Sequence, residues 1–280
     1  MRLLIYDCET TGLPKSRSVH DTTKWPYIVQ LSWLVYDTSY NRVESMNDYI
    51  VKLPPGYGIS EESSKIHKIT TDIMLKKGTN IKTVLAKFMK DVKDSHMLVA
   101  HNDEFDSKVI HVEQIRNKYS LKDMLNAVRK VKYCTMKHGT TLCNIEHINK
   151  FTKKKELKYP KLSELHHTLF NTVPNNLHNS LIDILVCFRC FGKLYFDVDY
   201  LEYNTEIKKL WDKFSLILFY SCFPMSSFIF FVPLFFILPA FSFLSSLVPL
   251  WTFFNWSFHA SICSTVGGVS SISSGVNEAM

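Results

Sequence analysis

The chain has 280 residues, 46% of them hydrophobic and 21% charged, and its formal net charge is +7. A domain of about 200 residues buries a sizeable core unaided. The seven cysteines are odd in number and scattered, and no signal peptide is recognisable. These features argue against a disulfide-bonded extracellular scaffold and favour reduced thiols in a cytoplasmic or nuclear compartment.

The chain opens with a short apolar run, residues 2–6, which predicts a buried β-strand. Asp7 and Glu9 follow at a spacing of two, which places both side chains on one face of an extended chain. Converging carboxylates repel each other unless a cation lies between them, and oxygen ligands suit Mg²⁺ or Mn²⁺ better than zinc. Taken alone, the motif is common and more typical of an ordinary strand and turn than of a metal site.

Further strands are predicted at residues 28–36, 43–51 and 97–100 and near Tyr133. Residues 80–92 have the periodicity of an amphipathic helix. Three consecutive strands, followed by helices between the later strands, predict an α/β fold with a mixed β-sheet flanked by helices.

A second acidic block lies where a predicted helix follows the strand at residues 97–100. Residues 103–118 have helical periodicity, and their apolar stripe consists of Phe105, Val109, Val112 and Ile115. Asp106 therefore lies in the first turn of a helix after a strand, where open α/β sheets hold their ligands. An acidic first turn also complements the helix dipole. That explanation suffices for Asp103 and Glu104 but leaves a functional role open for Asp106.

A third block combines a histidine with an aspartate on a predicted helix at residues 177–195. The buried side of this helix is predicted to consist of Leu181, Ile184, Leu185, Phe188 and Phe191. His178 lies five residues before Asp183, an offset that turns about 140° away on a continuous helix. We therefore expect His178 at the frayed start of the helix or in the preceding loop. A surface histidine near a helix N-terminus is the alternative interpretation.

Together the three blocks resemble one enzyme family. D-x-E-T-T-G at residues 7–12, H-N-x-x-F-D at 101–106 and H-x4-D at 178–183 resemble the DEDDh 3′–5′ exonucleases of the ribonuclease-H-like superfamily. Supporting segments are I-H-K-I-T at 66–70, C-T-M-K at 134–137 and Y-P-K-L-S-E-L at 159–165. The resemblance covers about residues 1–200. It departs from the family at Lys68, where glycine is usual, and at Ser180, where alanine is usual.

The resemblance implies a ribonuclease-H-like fold and a site with assigned roles. Two Mg²⁺ or Mn²⁺ ions would be held by four carboxylates, those of Asp7, Glu9, Asp106 and Asp183. His178 would be the general base that takes a proton from the attacking water. Contacts to the nucleic acid would come from Thr10, Thr11, Leu13 and Asn102. The reaction would be hydrolysis of the 3′-terminal phosphodiester of DNA or RNA, releasing nucleoside 5′-monophosphates.

The partners implied are a nucleic acid 3′ end, preferably single-stranded, and a DNA polymerase or repair protein. Two other classes stay open: an inactive nucleic-acid-binding module, and a scaffold tethered to a membrane. All 33 Lys and Arg residues, and every Asp and Glu except Glu278, lie at or before Lys213. The densest basic patch consists of Lys150, Lys153, Lys154, Lys155, Lys158 and Lys161. It is either a contact for the polyanionic substrate or a solvated loop.

The exonuclease domain is predicted to span residues 1–213, and an uncharged hydrophobic tail follows at 214–263. The tail contains two proline-interrupted stretches, each as long as the ~20 residues that span a bilayer. A membrane anchor through residues 214–262, with the preceding lysines holding the catalytic domain on the cytosolic side, is one interpretation. An out-of-frame extension and packing on the domain are others. Residues 264–280 are small and polar and are predicted to be disordered.

Overall fold

The computed structural model describes residues 1–120, 122 and 129–221. Six of the described strands form one mixed sheet: β1 (Arg2–Thr10), β2 (Ile28–Asp37), β3 (Arg42–Lys52), β4 (Thr79–Asn80), β5 (Met97–Ala100) and β6 (Val131–Cys134). Their order is β4-β3-β2-β1-β5-β6. The β1–β2 and β2–β3 pairs are antiparallel, whereas β1–β5, β5–β6 and β3–β4 are parallel. The predicted strands and the mixed α/β sheet are confirmed.

Helices cover both faces of this sheet. They are α1 (Glu61–His67), α2 (Thr71–Lys77), α3 (Ile81–Asp94), α4 (Asp103–Arg116), α5 (Thr135–Cys143), α6 (Leu162–Phe170), α7 (Ser180–Phe191), α8 (Tyr200–Tyr203) and α9 (Thr205–Ser221). A 3₁₀ turn lies at Thr22–Lys24 and a π-helical turn at Gly192–Phe196. A separate antiparallel hairpin pairs β7 (Glu146–Ile148) with β8 (Lys155–Leu157). This hairpin was not predicted from the sequence.

Strand β1 is buried on both faces because its side chains alternate between two cores. Leu4, Tyr6 and Cys8 pack in the core that contains α3 and α4. Leu3 and Ile5 pack in the core that contains α7. The strand extends beyond the predicted residues 2–6 because it continues to pair with β2 as far as Thr10. The acidic residues that follow Ile5 at the same spacing therefore continue the face toward α7.

Helix α7 begins three residues later than the predicted segment 177–195. The backbone of His178 is left-handed, with φ 71°, a conformation that cannot be part of a right-handed helix, so the helix begins only after this residue. The Asn179 side chain accepts the N–H of Leu181 and caps the helix. The expectation that His178 lies outside the regular helix is confirmed.

The C-terminal end of the described chain is helix α9. Ile207 is buried on it, and Trp211 and Phe214 pack against the core that contains α7. The helix continues to Ser221, so the predicted domain boundary at residue 213 lies within it. Residues 222–280, which include most of the predicted tail and its polar end, lie outside the described residues. Within the described part of the chain, no helix is both long and apolar enough to cross a membrane.

Candidate active site

The site lies where β1 runs past the end of its parallel neighbour. The ladder between β1 and β5 ends at Ile5 and Val99, whereas β1 continues to Thr10. Beyond this point Asp106, from the first turn of α4, takes the place of a strand partner. Its Oδ1 accepts the backbone N–H of Cys8 at 3.2 Å and the Cys8 thiol at 3.0 Å. The carboxylate of Asp106 is thereby fixed against β1 on the α4 side.

Three of the four predicted metal ligands meet on the other side of β1. Asp7, Glu9 and Asp183 each offer a carboxylate oxygen, and these oxygens lie within 4.8 Å of one another. Asp183 lies on the first turn of α7, and its Oδ2 accepts the backbone N–H of His178 at 3.1 Å. Its Oδ1 is buried and has no hydrogen-bond partner within the described residues. Asp106 is not a member of this trio, although it lies close enough to interact with Asp7 electrostatically.

Burial dominates the electrostatics of the site. It raises the pKa of Asp7 to about 7. Burial and then the charge of Asp7 raise the pKa of Glu9 to about 8. The same two causes hold the pKa values of Asp106 and Asp183 well above their usual range. Four carboxyl groups in this setting cannot all ionise without a compensating cation.

The residues therefore fit a divalent metal centre. Every candidate ligand is a carboxylate, which is the donor set that Mg²⁺ and Mn²⁺ prefer. A buried carboxylate oxygen without a partner, Asp183 Oδ1, is costly unless something else binds it. Asp7, Glu9 and Asp183 would hold an ion directly, and Asp106 stands beside them for a second.

This arrangement predicts a pH-dependent stability. Carboxyl groups with raised pKa bind protons more tightly in the folded state, so the free energy of unfolding falls as pH rises toward the folded pKa values. Between about pH 6.5 and 8.5 we expect a fall of about 2 kcal/mol in metal-free protein, measured by urea unfolding in EDTA. Buried histidines such as His101, whose pKa is lowered to about 4, act in the opposite direction only below this window.

The Asp7→Asn variant is the matched control for this measurement, because it removes one of the titrating groups. Its stability should depend less on pH over the same window, and Mg²⁺ or Mn²⁺ should abolish most of the fall in the wild-type protein. A wild-type stability in EDTA that stays constant or rises over this window would contradict the predicted electrostatics.

Ser180, which stands where the family usually has alanine, forms a hydrogen bond through its side chain that alanine could not form. It is fully buried at the start of α7, and its hydroxyl donates to the backbone carbonyl of Asp7 at 2.7 Å. Its N–H donates to Gln30 Oε1 at 3.4 Å, and the Gln30 amide donates to Asp48 at 2.7 Å. The hydroxyl bond ties the helix that carries Asp183 to the strand that carries Asp7, and the other two bonds tie it to β2 and β3.

His101 joins the segments that accompany the acidic motifs. Burial lowers its pKa to about 4, so the ring is neutral near pH 7. Nε2 lies 3.1 Å from the carbonyl oxygen of Pro160, to which it must donate, and Nδ1 then accepts from the Thr135 hydroxyl at 3.0 Å. The C-T-M-K and Y-P-x-L segments therefore meet at the residue before Asn102, a connection that the sequence analysis missed.

Asp103 also does more than complement the dipole of α4. It is buried and accepts the Tyr6 hydroxyl at 2.6 Å, and Lys132 lies 3.6 Å from its other oxygen. Glu104, by contrast, is exposed and pairs with lysines on the surface. Only Glu104 fits the simple interpretation of an acidic first turn.

The predicted substrate-binding residues lie at the end of β1, in the turn that follows it, and immediately before α4. Thr10 donates its hydroxyl to the Gly12 carbonyl at 2.7 Å, and the Thr11 hydroxyl accepts the Tyr27 N–H at 3.0 Å. Both hydroxyls thus shape the turn after β1. Leu13 is 79% exposed on that turn. Asn102, at φ 72°, precedes α4 without a capping bond from its side chain.

The lysine-rich patch lies mainly on the hairpin formed by β7 and β8. Asn149 Oδ1 accepts the N–H groups of Phe151 and Thr152 and so orders the hairpin tip. Phe151 is 95% exposed there. In the part of the chain that the structure describes, no ion pair involves the lysines of the tip, which are Lys150, Lys153 and Lys154. The tip therefore presents three lysines without ion pairs close to an exposed aromatic ring, while the Glu156 carboxylate accepts from Asn149 and Thr152.

Comparison with known proteins places the chain in a family. The sequence model of the RNase T exonuclease family matches residues 4–191. The DNA polymerase III subunit epsilon of Buchnera aphidicola subsp. Acyrthosiphon pisum (strain APS) is 27% identical over 219 residues, which cover 75% of this chain and 81% of that protein.

Solved structures share the fold. Exonuclease I of E. coli in complex with a dA16 oligonucleotide has a TM-score of 0.51 at 16% identity, over 78% of this chain and 45% of that one. Exonuclease I of Methylocaldum szegediense has a TM-score of 0.52 at 14% identity, over 71% and 42% of the two chains. The present chain thus spans less than half the length of these structures. Because the family match covers more than half of the chain, including all three acidic blocks, the protein belongs to the RNase T exonuclease family.

Proposed function

We propose that this protein is a metal-dependent 3′–5′ exonuclease that hydrolyses the 3′-terminal phosphodiester of a single-stranded DNA or RNA. The observation that carries the proposal is the cluster of Asp7, Glu9 and Asp183 beside Asp106, in which a buried oxygen of Asp183 has no hydrogen-bond partner among the described residues. Such a cluster destabilises a metal-free domain, so a function that requires a cation best accounts for it.

The residues of the site would have separate roles in metal binding and proton transfer. Asp7, Glu9, Asp106 and Asp183 would hold two Mg²⁺ or Mn²⁺ ions. When bound, such ions supply positive charge and Lewis acidity at the scissile phosphate. His178 is exposed in the loop before α7, with its backbone bonded to Asp183, and takes a proton from water. The water oxygen forms a bond to phosphorus, the bond to the 3′ oxygen breaks, and that oxygen gains a proton from solvent.

The surroundings of the cluster supply the substrate contacts. Leu13 packs against the terminal base, while Thr10, Thr11 and Asn102 orient the strand near its sugar and phosphates. The lysines of the hairpin tip attract the polyanionic backbone, and Phe151 offers a ring on which a base stacks. Two E. coli exonuclease I structures contain a dA16 or a dT13 oligonucleotide, which supports a single-stranded substrate here. The polymerase subunit among the relatives supports a polymerase as a partner.

The test is a cleavage assay with the purified full chain and its Asp7→Ala variant. Each is incubated in Mg²⁺ with 5′-labelled single-stranded DNA and RNA of the same sequence. We expect the wild type to produce a ladder that shortens from the 3′ end, and the variant to produce none. EDTA should stop the reaction and Mn²⁺ should restore it. No cleavage by folded wild-type protein would overturn the proposal and favour an inactive nucleic-acid-binding module.

A further inference from the structure

The segment that follows the first acidic motif is a closed loop between Thr11 and Tyr27. The Thr11 N–H donates to the Tyr27 carbonyl at 3.0 Å, and the Tyr27 N–H donates to the Thr11 hydroxyl at 3.0 Å. Further along, the Lys15 N–H donates to the Lys24 carbonyl at 2.8 Å. With its ends joined in this way, the segment has the character of an Ω-loop. We call it the Leu13 loop.

One largely buried side chain from outside the loop binds its returning half. The Arg116 guanidinium donates to the carbonyl oxygens of Trp25 at 2.6 Å and Pro26 at 3.0 Å, and also to that of Thr22. It lies 4.0 Å from the centre of the Tyr27 ring. Three backbone acceptors and one aromatic face thus depend on a single cation. A planar guanidinium suits this task because its donors form a fixed fork.

The charge of Arg116 is compensated by Glu113, one turn earlier on α4. The side chain of Arg116 is 12% exposed and that of Glu113 only 4%. A buried ion pair of this kind contributes little net stability, but it fixes geometry where its members find all their partners. No feature of the sequence pointed to this pair, because Arg116 bonds residues about 90 positions away.

Helix α4 therefore holds both sides of the candidate site. Its first turn places Asp106 against Cys8 of β1. Its last turn places Arg116 against the loop that continues from β1, ~15 Å along the helix axis. The helix thus fixes one acidic residue and the loop that presents Leu13 as a single rigid unit.

We propose that Arg116 is a positioning residue that sets the place of the Leu13 loop and so controls how tightly the 3′-terminal nucleotide binds. This inference rests on the proposed exonuclease function. Arg116 touches neither the acidic cluster nor any residue to which we assign chemistry. Its loss should therefore weaken substrate binding far more than it slows the chemical step.

The test compares Arg116→Gln and Arg116→Lys with the wild-type full chain. For Arg116→Gln we expect KM for a labelled oligonucleotide to rise about tenfold while kcat changes less than about threefold. Trypsin should cut the loop, after Lys15, Arg17 or Lys24, about tenfold faster. Arg116→Lys keeps the charge but not the fork, so both effects should be intermediate. Thermal unfolding establishes that each variant is folded, and if Arg116→Gln does not fold, Arg116→Lys decides by the same criteria.

Arg189→Gln is the matched control. Arg189 is about as buried, pairs with Asp199 at 2.6 Å and lies 3.8 Å from the centre of the Phe170 ring. Among the described residues, none of its hydrogen bonds or ring contacts reaches the loop. This variant should lose stability without faster cleavage in the Leu13 loop. The inference would be overturned if the Arg116 variants had the KM and the loop cleavage rate of the wild type. It would also be overturned if Arg189→Gln changed KM and loop cleavage by as much as Arg116→Gln does. If the wild type has no nuclease activity the proposed function fails, while the trypsin comparison still decides whether Arg116 holds the loop.

Discussion

With Asp183 replaced by asparagine, hydrolysis of a labelled oligonucleotide is expected to fall by about 10³-fold or more. The two side chains have the same shape, so the packing of α7 against β1 is preserved. The substitution removes a negative charge and replaces one carboxylate oxygen with an NH₂ group, which cannot bind a cation. One of the two carboxylate oxygens is Oδ1, the buried atom that has no hydrogen-bond partner among the described residues and would bind the cation.

The same substitution should leave the fold intact and stabilise the metal-free protein. In the wild type the pKa of Asp183 is raised well above its usual range by burial and by the neighbouring carboxylates, so a carboxyl group at this position costs stability at any pH where the unfolded chain ionises it. The asparagine variant avoids that cost. We expect its free energy of unfolding in EDTA at about pH 8 to exceed that of the wild type by roughly 1 kcal/mol.

Single-turnover cleavage measures the loss of rate, and urea unfolding in EDTA measures the gain in stability. A calorimetric Mn²⁺ titration measures the loss of cation binding that should accompany the loss of rate. Glu104→Gln is a suitable control, since it removes an acidic residue of the second block that is exposed and pairs only with surface lysines. Its activity should stay within about twofold of the wild type. If the Asp183→Asn protein kept a tenth of the wild-type rate, Asp183 would not be one of the metal ligands.

The part of the site that could be predicted from the sequence is the part that depends on local geometry. Asp7 and Glu9 share a face because β-strands alternate, and that rule needs no knowledge of the rest of the chain. Periodicity predicts that Asp183 lies on a helix, and the offset between the two residues predicts that His178 lies before it. These inferences required only the spacing of residues within one element.

The remainder depends on contacts between distant segments, which spacing does not encode. His101 meets Thr135 and Pro160, 34 and 59 residues away, and Ser180 meets Asp7 across 173 residues. Asp106 lies close enough to Asp7 to interact with it electrostatically, and the bonds that hold its carboxylate there come from Cys8, 98 residues away. Polar residues at buried positions were the available signal, but the sequence does not say which partner satisfies each of them.

His178 provides the other large expected effect. Replacing it with alanine should lower kcat by about 10²- to 10⁴-fold, the usual contribution of a general base. Binding of Mn²⁺ should change by less than about twofold, because the residue contacts the acidic cluster through its backbone N–H, which donates to Asp183 and survives the substitution. Asp183→Asn, by contrast, should lose both Mn²⁺ binding and activity. Comparing the two variants therefore separates proton transfer from metal binding.

Backbone strain is the competing explanation for a slow His178→Ala protein. His178 has a left-handed backbone, a conformation that asparagine adopts more readily than alanine. His178→Asn therefore keeps the loop geometry and the bond to Asp183 while still lacking the imidazole. If His178 is the base, both variants are equally slow at saturating Mn²⁺. Recovery of the rate in His178→Asn alone would mean that this position shapes the loop at the start of α7, and that the proton leaves the water by another route.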